Sequence, residues 1–516
     1  MEYILSHSWI RGQKCFVRGY CFDEQSNFIK SEKLLSLFSG IQTEEDFSKK
    51  IKQLNGIFQV IIETSQGVLA AGDIAGTLPL YYRNYNNKCF LSDNVYSLLK
   101  GNETIDKNAE TDYLNLNYTL NSKTLINGIH RIEPMTYASI SNNSVKTSSY
   151  YSYRIYKNEI NNIDIQYQFS VALLNIFGRL IEYINGRQVI VPLSGGYDSR
   201  FIVAMLYRLN YKNIICYTIG DENSEEVEIA KSVAKSLGFK HYCIDNTLMA
   251  KKCDLSKDVD FLDYCKYVGQ LCNKIWTFDF FSVKWLKENG IAEYDAVFVP
   301  GHSGDCLAGS HSSKNHITQH STASYMAVKV LEDQSFLGRN KELQNKITKL
   351  LQKKEKTLRT SNFDDFVIKN RLAKYINSAT RVYSYFGFDI ALPFWDIEMM
   401  DFFKTLDPSL KQNQKFYHNY LDSSLFGPLG ISFKGRLQAS DMDLRLHCIK
   451  SFIKRMLPLK IAVSLSHTPD LVGMNDILKP FIKELAKVGI KTKTNNPNEI
   501  MALWYLYQVK QNLCAH

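Results

Sequence analysis

From position 188 to 199 the chain reads Gln-Val-Ile-Val-Pro-Leu-Ser-Gly-Gly-Tyr-Asp-Ser: an apolar run that ends abruptly in small residues and one carboxylate. Ser194, Gly195 and Gly196 leave room for the oxygens of a phosphate-like anion to reach backbone N–H groups, and Ser194 and Ser199 add hydroxyl donors. Asp198 would repel such an anion unless a divalent cation lay between them. A second segment, Gly301-His302-Ser303-Gly304-Asp305-Cys306-Leu307-Ala308-Gly309, repeats the pattern of small residues around one carboxylate after an apolar run. Two such loops, each supplying an aspartate, suit one Mg²⁺, which takes oxygen ligands.

The elements that must position these loops follow from hydrophobic patterning. Residues 189–193 have the length and branching of a buried parallel strand, 194–199 form a turn, and 200–209 carry an apolar helix face. Residues 213–220 predict a second buried strand. Asn223, with Glu226 three residues on, predicts a helix start. Val227, Ala230, Val233, Ala234 and Leu237 form one stripe, and Gly238 closes that helix. A third strand is expected at 241–244 and a later one at 295–300. This β-α-β-α-β order implies a doubly wound parallel sheet with ligands at the carboxyl ends of its strands, where Ser194 and Gly220 both lie. Earlier, residues 54–62 and 67–73 read as strands joined by a turn, and 88–99 as a strand and a short helix, the hairpins of an antiparallel sheet. The polar, Ser-rich stretch 142–152 places a linker near 140–160, between units at 1–145 and 160–516.

At 516 residues the chain is long enough for two or three domains, and 45% hydrophobic with 22% charged residues is ordinary for a globular protein. The net charge of +10 reads as a basic surface with a mild attraction for anionic ligands. Eleven cysteines without a C-x-x-C pair exclude a disulfide framework or zinc site as the organising feature. No signal peptide and no apolar run approaching 18 residues is evident, so a reducing, cytoplasmic location is expected. The basic amphipathic stretch 440–462 reads as a solvated surface helix, with a weak membrane-surface contact left open, as is a homodimer. No concentrated basic–aromatic face points to nucleic acid.

The loop 194–199 resembles the pyrophosphate-binding loop of ATP pyrophosphatase-type enzymes, and no Walker loop is present. The Leu54-x-Gly56-x-Phe58 segment, Asp73-x-x-Gly76-x-x-Pro79-Leu-Tyr-Tyr82 and the 92–99 segment resemble the glutaminase-type domain of asparagine synthetases. The 301–309 and 387–396 segments resemble two further loops of that family. The resemblance implies a fold of α/β with α+β class: an N-terminal Ntn-hydrolase-like antiparallel sandwich and a C-terminal doubly wound parallel sheet with a helical extension. It implies ATP and Mg²⁺ as cofactors. Leu193, Ser194, Gly195, Gly196, Tyr197, Asp198, Ser199, Ile219, Gly220 and Gly301 would hold the nucleotide, and Asp198 and Asp305 the metal.

Departures from the family pattern bear on the substrate. The family's glutaminase nucleophile is a cysteine at position 2, where this chain has Glu2; Cys15 and Cys21 are internal. The N-terminal unit is therefore expected not to hydrolyse glutamine. His302 and Cys306 replace two glutamates of the family loop, and the arginine of the family's Gly-x-Glu-x-Arg-x-Pro-Phe-Leu-Asp segment falls on Ala391. His302 reads as a general base for an amine or as a histidine bonded to its own loop. Arg381 is a candidate for holding a substrate carboxylate, and Lys434, with Arg436 competing, for stabilising charge on the phosphates.

These readings lead to an ATP-dependent amide ligase that adenylates a small-molecule or peptide carboxylate and transfers it to ammonia or another amine. Uronic-acid amidation and lasso-type peptide cyclisation are the specialised alternatives. A tRNA-modifying enzyme with the same ATP loop is the reading from another reaction class.

Overall fold

In the computed structural model, residues 1–141, 144–156, 164–251, 253–335, 337, 340–352, 357–432, 474–492 and 496–514 are described. Sixteen strands fall into three sheets among these residues. In chain order they are β1 (Glu2–Ile4), β2 (Ile10–Arg11), β3 (Cys15–Phe22), β4 (Phe28–Lys30), β5 (Asn55–Thr64), β6 (Gly67–Gly72), β7 (Tyr81–Tyr85), β8 (Lys88–Ser92), β9 (Ile129–Arg131), β10 (Thr136–Ser141), β11 (Ser144–Ser149), β12 (Val189–Pro192), β13 (Ile214–Ile219), β14 (Lys240–Ile244), β15 (Val297–Phe298) and β16 (Asp389–Ile390).

The first eleven strands make two sheets, ordered β1-β8-β7-β9 and β11-β10-β6-β5-β3-β2, with β4 also on β3. All pairs are antiparallel except β1 with β8. Strand periodicity explains how they layer. On β5 and β6, Ile61, Val68 and Ala70 point to one side and pack with Leu80, Cys89, Leu91 and Ile132 between the sheets. Val60, Ile62, Leu69 and Ala71 point to the other, into the core that also takes Phe47 and Ile51 from the helix Glu44–Lys52. Part of the stretch read as linker is thus sheet: β11, at 144–149, is an edge strand paired with β10 throughout. Its serines, lysine and threonine face solvent, the composition an exposed edge needs. The chain then docks on the helix Arg359–Phe366, where Asp365 accepts the Tyr153 N–H at 2.9 Å and pairs with Arg154 at 3.0 Å.

The remaining five strands form a parallel sheet in the order β14-β13-β12-β15-β16. The central strand β12 is buried over Val189, Ile190 and Val191. The helix Tyr197–Arg208 returns from it with Phe201, Ile202, Ala204 and Met205 buried. That helix starts three residues before the predicted 200, because Gly196 is the residue at its N-terminal boundary. Ser224, not Asn223, caps the next helix, Glu225–Ser236, accepting the Val227 N–H. Asn223 turns back onto the Asp221 carboxylate instead. Gly238 closes it with φ +74°, its N–H on the Lys235 carbonyl and that of Phe239 on Ala234.

The Asp73–Tyr82 motif joins the two units. Asp73 is buried and accepts the backbone N–H of Thr77 at 3.1 Å, closing a turn in which Gly76 has φ +63°. The Ala75 carbonyl accepts from Asn377 at 2.9 Å, and the Gly76 carbonyl from Arg131 at 2.9 Å. A Cβ on Gly76 would lie 2.7 Å from the Pro134 ring and 3.0 Å from the Ala373 carbonyl. Gly76→Ala is expected to destabilise the protein by about 2–4 kcal/mol in urea titration. Gly40→Ala, at φ +85° with nothing within 4 Å, should cost only about 1–2 kcal/mol. Equal losses at the two positions would show that the contact between units is not what makes Gly76 necessary.

Candidate active site

In the strand order the direction of winding reverses between β12 and β15, so the loops that leave their carboxyl ends sit side by side. Val297 and Val299 fix the register by donating to Gln188 and Ile190 at 2.8 and 3.0 Å. Close approach of the loops depends on glycine. A Cβ on Gly301 would fall 2.6 Å from the Ser199 nitrogen, and one on Gly304 2.7 Å from the Asp198 carboxyl carbon and 2.5 Å from the Phe394 ring.

The carboxylates of the two loops come together there. The backbone N–H of Asp305 donates to Asp198 Oδ2 at 2.8 Å, and Tyr417 donates its hydroxyl to Asp198 Oδ1 at 3.0 Å. Asp305 is exposed and accepts from Ser310 at 2.8 Å. Although Asp198 as a whole residue is only half-buried, its carboxyl group is enclosed. Desolvation, then the charge of Asp305, pushes it up to about 8 against those hydrogen bonds. A cation between the two would remove that penalty. No group of three or more His, Cys, Asp and Glu is assembled for a metal among the described residues. A pair of carboxylates still fits Mg²⁺, which keeps waters and substrate phosphates among its ligands.

Around them the loop 194–199 is tied to itself and to distant chain. Ser199 Oγ accepts the Ser194 N–H at 2.9 Å and lies 3.0 Å from Ser194 Oγ, which accepts the Gly196 N–H at 3.2 Å. The two hydroxyls expected to face an anion are thus engaged within the loop. The start of the helix Tyr197–Arg208 carries no side-chain cap, which leaves its end open to an anion. Arg200 is buried and holds the Gly195 carbonyl at 2.8 Å and that of Ile431 at 3.1 Å. Tyr197 stacks on His418 at 4.1 Å and donates to Asp422 at 2.9 Å. Leu193 is buried; its N–H donates to Tyr217 and its carbonyl accepts from Thr218 at 2.6 Å. Ile219 ends the adjacent strand and Gly220 follows it, the Gly220 N–H donating to Ile244.

His302 sits in the second loop with Nδ1 lacking a hydrogen-bond partner, so that nitrogen is not bonded to its own loop. Burial, partly offset by Asp305, pushes its imidazole down to about 4. It is therefore neutral at physiological pH and a weaker proton acceptor than an ordinary histidine. Cys306 is buried and its thiol held up by that burial, as a packing residue would be.

Arg381 is not brought to this site. Its guanidinium lies over the Tyr267 ring at 4.5 Å, held on the aromatic face that the helix Val259–Gly269 offers. Lys434 and Arg436, and the stretch 440–462, lie outside the described residues. Tyr417 and Arg200 are the site residues that sequence reasoning missed. Arg200 stood inside an apolar helix face, where a buried charge is a usable signal; Tyr417 had none. The 387–396 segment acts from below: Trp395 donates to Ser303 Oγ at 3.2 Å, and Phe394 packs where Gly304 has no side chain.

Comparison with known proteins agrees with this architecture. A glutamine amidotransferase domain model matches residues 31–151, and an asparagine synthase model matches 184–425. A probable glutamine-hydrolysing asparagine synthetase of Acanthamoeba polyphaga mimivirus is 25% identical over 237 residues, 45% of this chain. That match spans 34% of the relative's own length, about a third. The glutamine phosphoribosylpyrophosphate amidotransferase of B. subtilis, solved with ADP and GMP, aligns at 12% identity. It covers 63% of this chain and 60% of that one with a TM-score of 0.17, too low to build on. With these two domain models in tandem order and the curated relative beside them, the chain is asparagine synthetase-like over residues 31–151 and 184–425.

Proposed function

We propose that this protein is an ATP-dependent amide ligase that forms AMP and pyrophosphate and takes its nitrogen from ammonia or an amine substrate. A substrate carboxylate oxygen bonds to the α phosphorus of ATP as the α–β bridge breaks and pyrophosphate leaves. The amine nitrogen then bonds to the activated acyl carbon, AMP departs, and the amine gives up a proton. The observation that carries this reading is the meeting of Asp198 and Asp305 over a loop of small residues, with Asp305 N–H on Asp198 at 2.8 Å.

In this reading Asp198 and Asp305 would hold Mg²⁺, which neutralises charge on the phosphates. The open helix start at Tyr197 and the backbone of 194–196 receive the pyrophosphate, and Ile219 and Gly220 the nucleoside. Gly301 lets the second loop close on the first. Neutral His302 orients the amine by hydrogen bonding. Lys434, with Arg436 as its competitor, supplies positive charge to the phosphates. Independence from glutamine is supported by the thiols of the N-terminal unit. Burial pushes Cys15 and Cys21 up to about 12 and Cys89 to about 11, the reverse of what a nucleophile needs.

Asp198→Asn is expected to lower ATP–pyrophosphate exchange, measured over a panel of carboxylates, by about 100-fold or more. Exchange at the wild-type rate in that variant would refute the assignment. A second measurement concerns pH. The Asp198 carboxyl lies at about 8 in the fold against about 3.9 unfolded, so its contribution to stability is present below pH 4 and lost as pH rises through 8. In magnesium-free buffer the wild-type urea midpoint should therefore fall more between pH 4 and 8 than that of Asp198→Asn. Added Mg²⁺ should stabilise the wild type more at pH 8.5 than at pH 6. A magnesium effect independent of pH would argue against Asp198 as its ligand.

A further inference from the structure

Arg200 places a charge in an otherwise apolar stretch of helix. It is 1% exposed, and Phe201, Ile202, Val203 and Ala204 after it are fully buried. An apolar side chain of similar length would fill that space without desolvating an ion. Two carbonyls and two ring faces hold the arginine in place. One terminal nitrogen donates to the Gly195 carbonyl at 2.8 Å, and the other to the Ile431 carbonyl at 3.1 Å. The guanidinium carbon lies 5.1 Å from the centroid of Tyr197 and 4.9 Å from that of Phe426. Tyr197 is held in turn through its hydroxyl on Asp422 at 2.9 Å.

The Gly195 carbonyl belongs to a peptide flanked by glycine on both sides. That peptide is planar and trans, so its C=O and the Gly196 N–H point in opposite directions. With no Cβ at either end, little opposes its rotation as a unit. Packing within the protein does not require glycine at 195, where a Cβ would come no closer than 3.5 Å to Ile229. In one orientation the peptide presents an N–H to the open start of the helix Tyr197–Arg208, and in the other a carbonyl oxygen. Arg200 bonds that carbonyl into the interior. The Gly196 N–H is left on the opposite edge, where Ser194 Oγ accepts it at 3.2 Å, the long end for such a bond. A phosphate oxygen carries charge and is the stronger acceptor of the two.

We propose that Arg200 is a positioning residue for pyrophosphate: it locks the Gly195–Gly196 peptide with its N–H edge towards the ligand and braces that peptide against Tyr197 and Ile431. This role rests on the ligase reading and adds to it. Arg200 acts through the loop and not on the ligand, by preventing a carbonyl dipole from turning towards the departing phosphates. The part of the nucleotide that meets 194–196 depends on it, and the nucleoside at Ile219 and Gly220 does not.

Isothermal titration of the full-length protein in magnesium buffer, with inorganic pyrophosphate and separately with AMP, tests this. Arg200→Met should weaken pyrophosphate binding by about ten-fold or more and keep AMP affinity within about three-fold. Arg200→Lys keeps the charge but cannot span two carbonyls. It should bind pyrophosphate more weakly than the wild type and more tightly than Arg200→Met. Wild-type pyrophosphate affinity in Arg200→Lys would show that charge alone suffices and overturn the positioning role. Undiminished affinity in Arg200→Met would overturn it as well, as would equal losses for pyrophosphate and AMP, the mark of a merely structural residue. Urea midpoints establish that each variant is folded; should Arg200→Met fail to fold, Arg200→Lys alone decides. A wild type that binds neither pyrophosphate nor AMP overturns the ligase reading together with this role. A wild type that binds both, with unaffected variants, overturns the role of Arg200 alone.

Discussion

One hydrogen bond organises the chemistry of this molecule: the backbone N–H of Asp305 on the carboxylate of Asp198. It fastens together two loops that leave neighbouring parallel strands, and it brings the charge of Asp305 to bear on the enclosed Asp198 carboxyl group. Everything nearby serves that approach. Gly301 and Gly304 remove the side chains that would block it, Phe394 and Trp395 support the second loop from beneath, and Tyr417 caps the remaining Asp198 oxygen. The enclosed carboxyl group is consequently held near neutrality until a counter-charge arrives. Folding stability is given up locally at this carboxyl group, a trade common at functional sites.

The N-terminal sheets play a different part. Burial holds the thiols of Cys15 and Cys21 high, and the unit is joined to the rest through the Asp73 turn, the Val95 N–H on Gln270, and the hydroxyl pair Tyr96–Tyr505 at 2.8 Å. Arg179 spans the same boundary, holding Asp396 in two bonds and reaching Ser26. The residues 73–82 that resemble the family thus also serve the docking of the two units.

The fold was readable in the sequence wherever a buried strand met a small-residue loop, because periodicity and glycine are local signals. The parallel sheet, its helices and the antiparallel hairpins at 54–73 came from those signals alone. So did the convergence of Asp198 and Asp305, since both follow strands whose carboxyl ends must share one edge. What stayed hidden depended on partners far along the chain. Ser194 and Ser199 look like free donors until their own loop closes on them. Arg381 looks like a carboxylate clamp until Tyr267 presents its face. The polar edge strand β11 reads as linker because solvent, and not a core, lies on its outer side. Asn223 and Ser224 compete for one cap, and the neighbouring Asp221 decides between them.

Lys374 sets a limit on how this architecture can be trimmed. It is fully buried in the C-terminal unit, and its ammonium donates to the carbonyls of Thr119 and Asn121, at 2.6 and 2.5 Å, which belong to the N-terminal unit. Were a lineage to discard the first hundred and fifty residues, that ammonium would lose both acceptors at once, in a wall newly opened to water. The N-terminal unit thus also acts as the cover of its neighbour, keeping the ammonium at position 374 dry and bonded to carbonyls instead of to water.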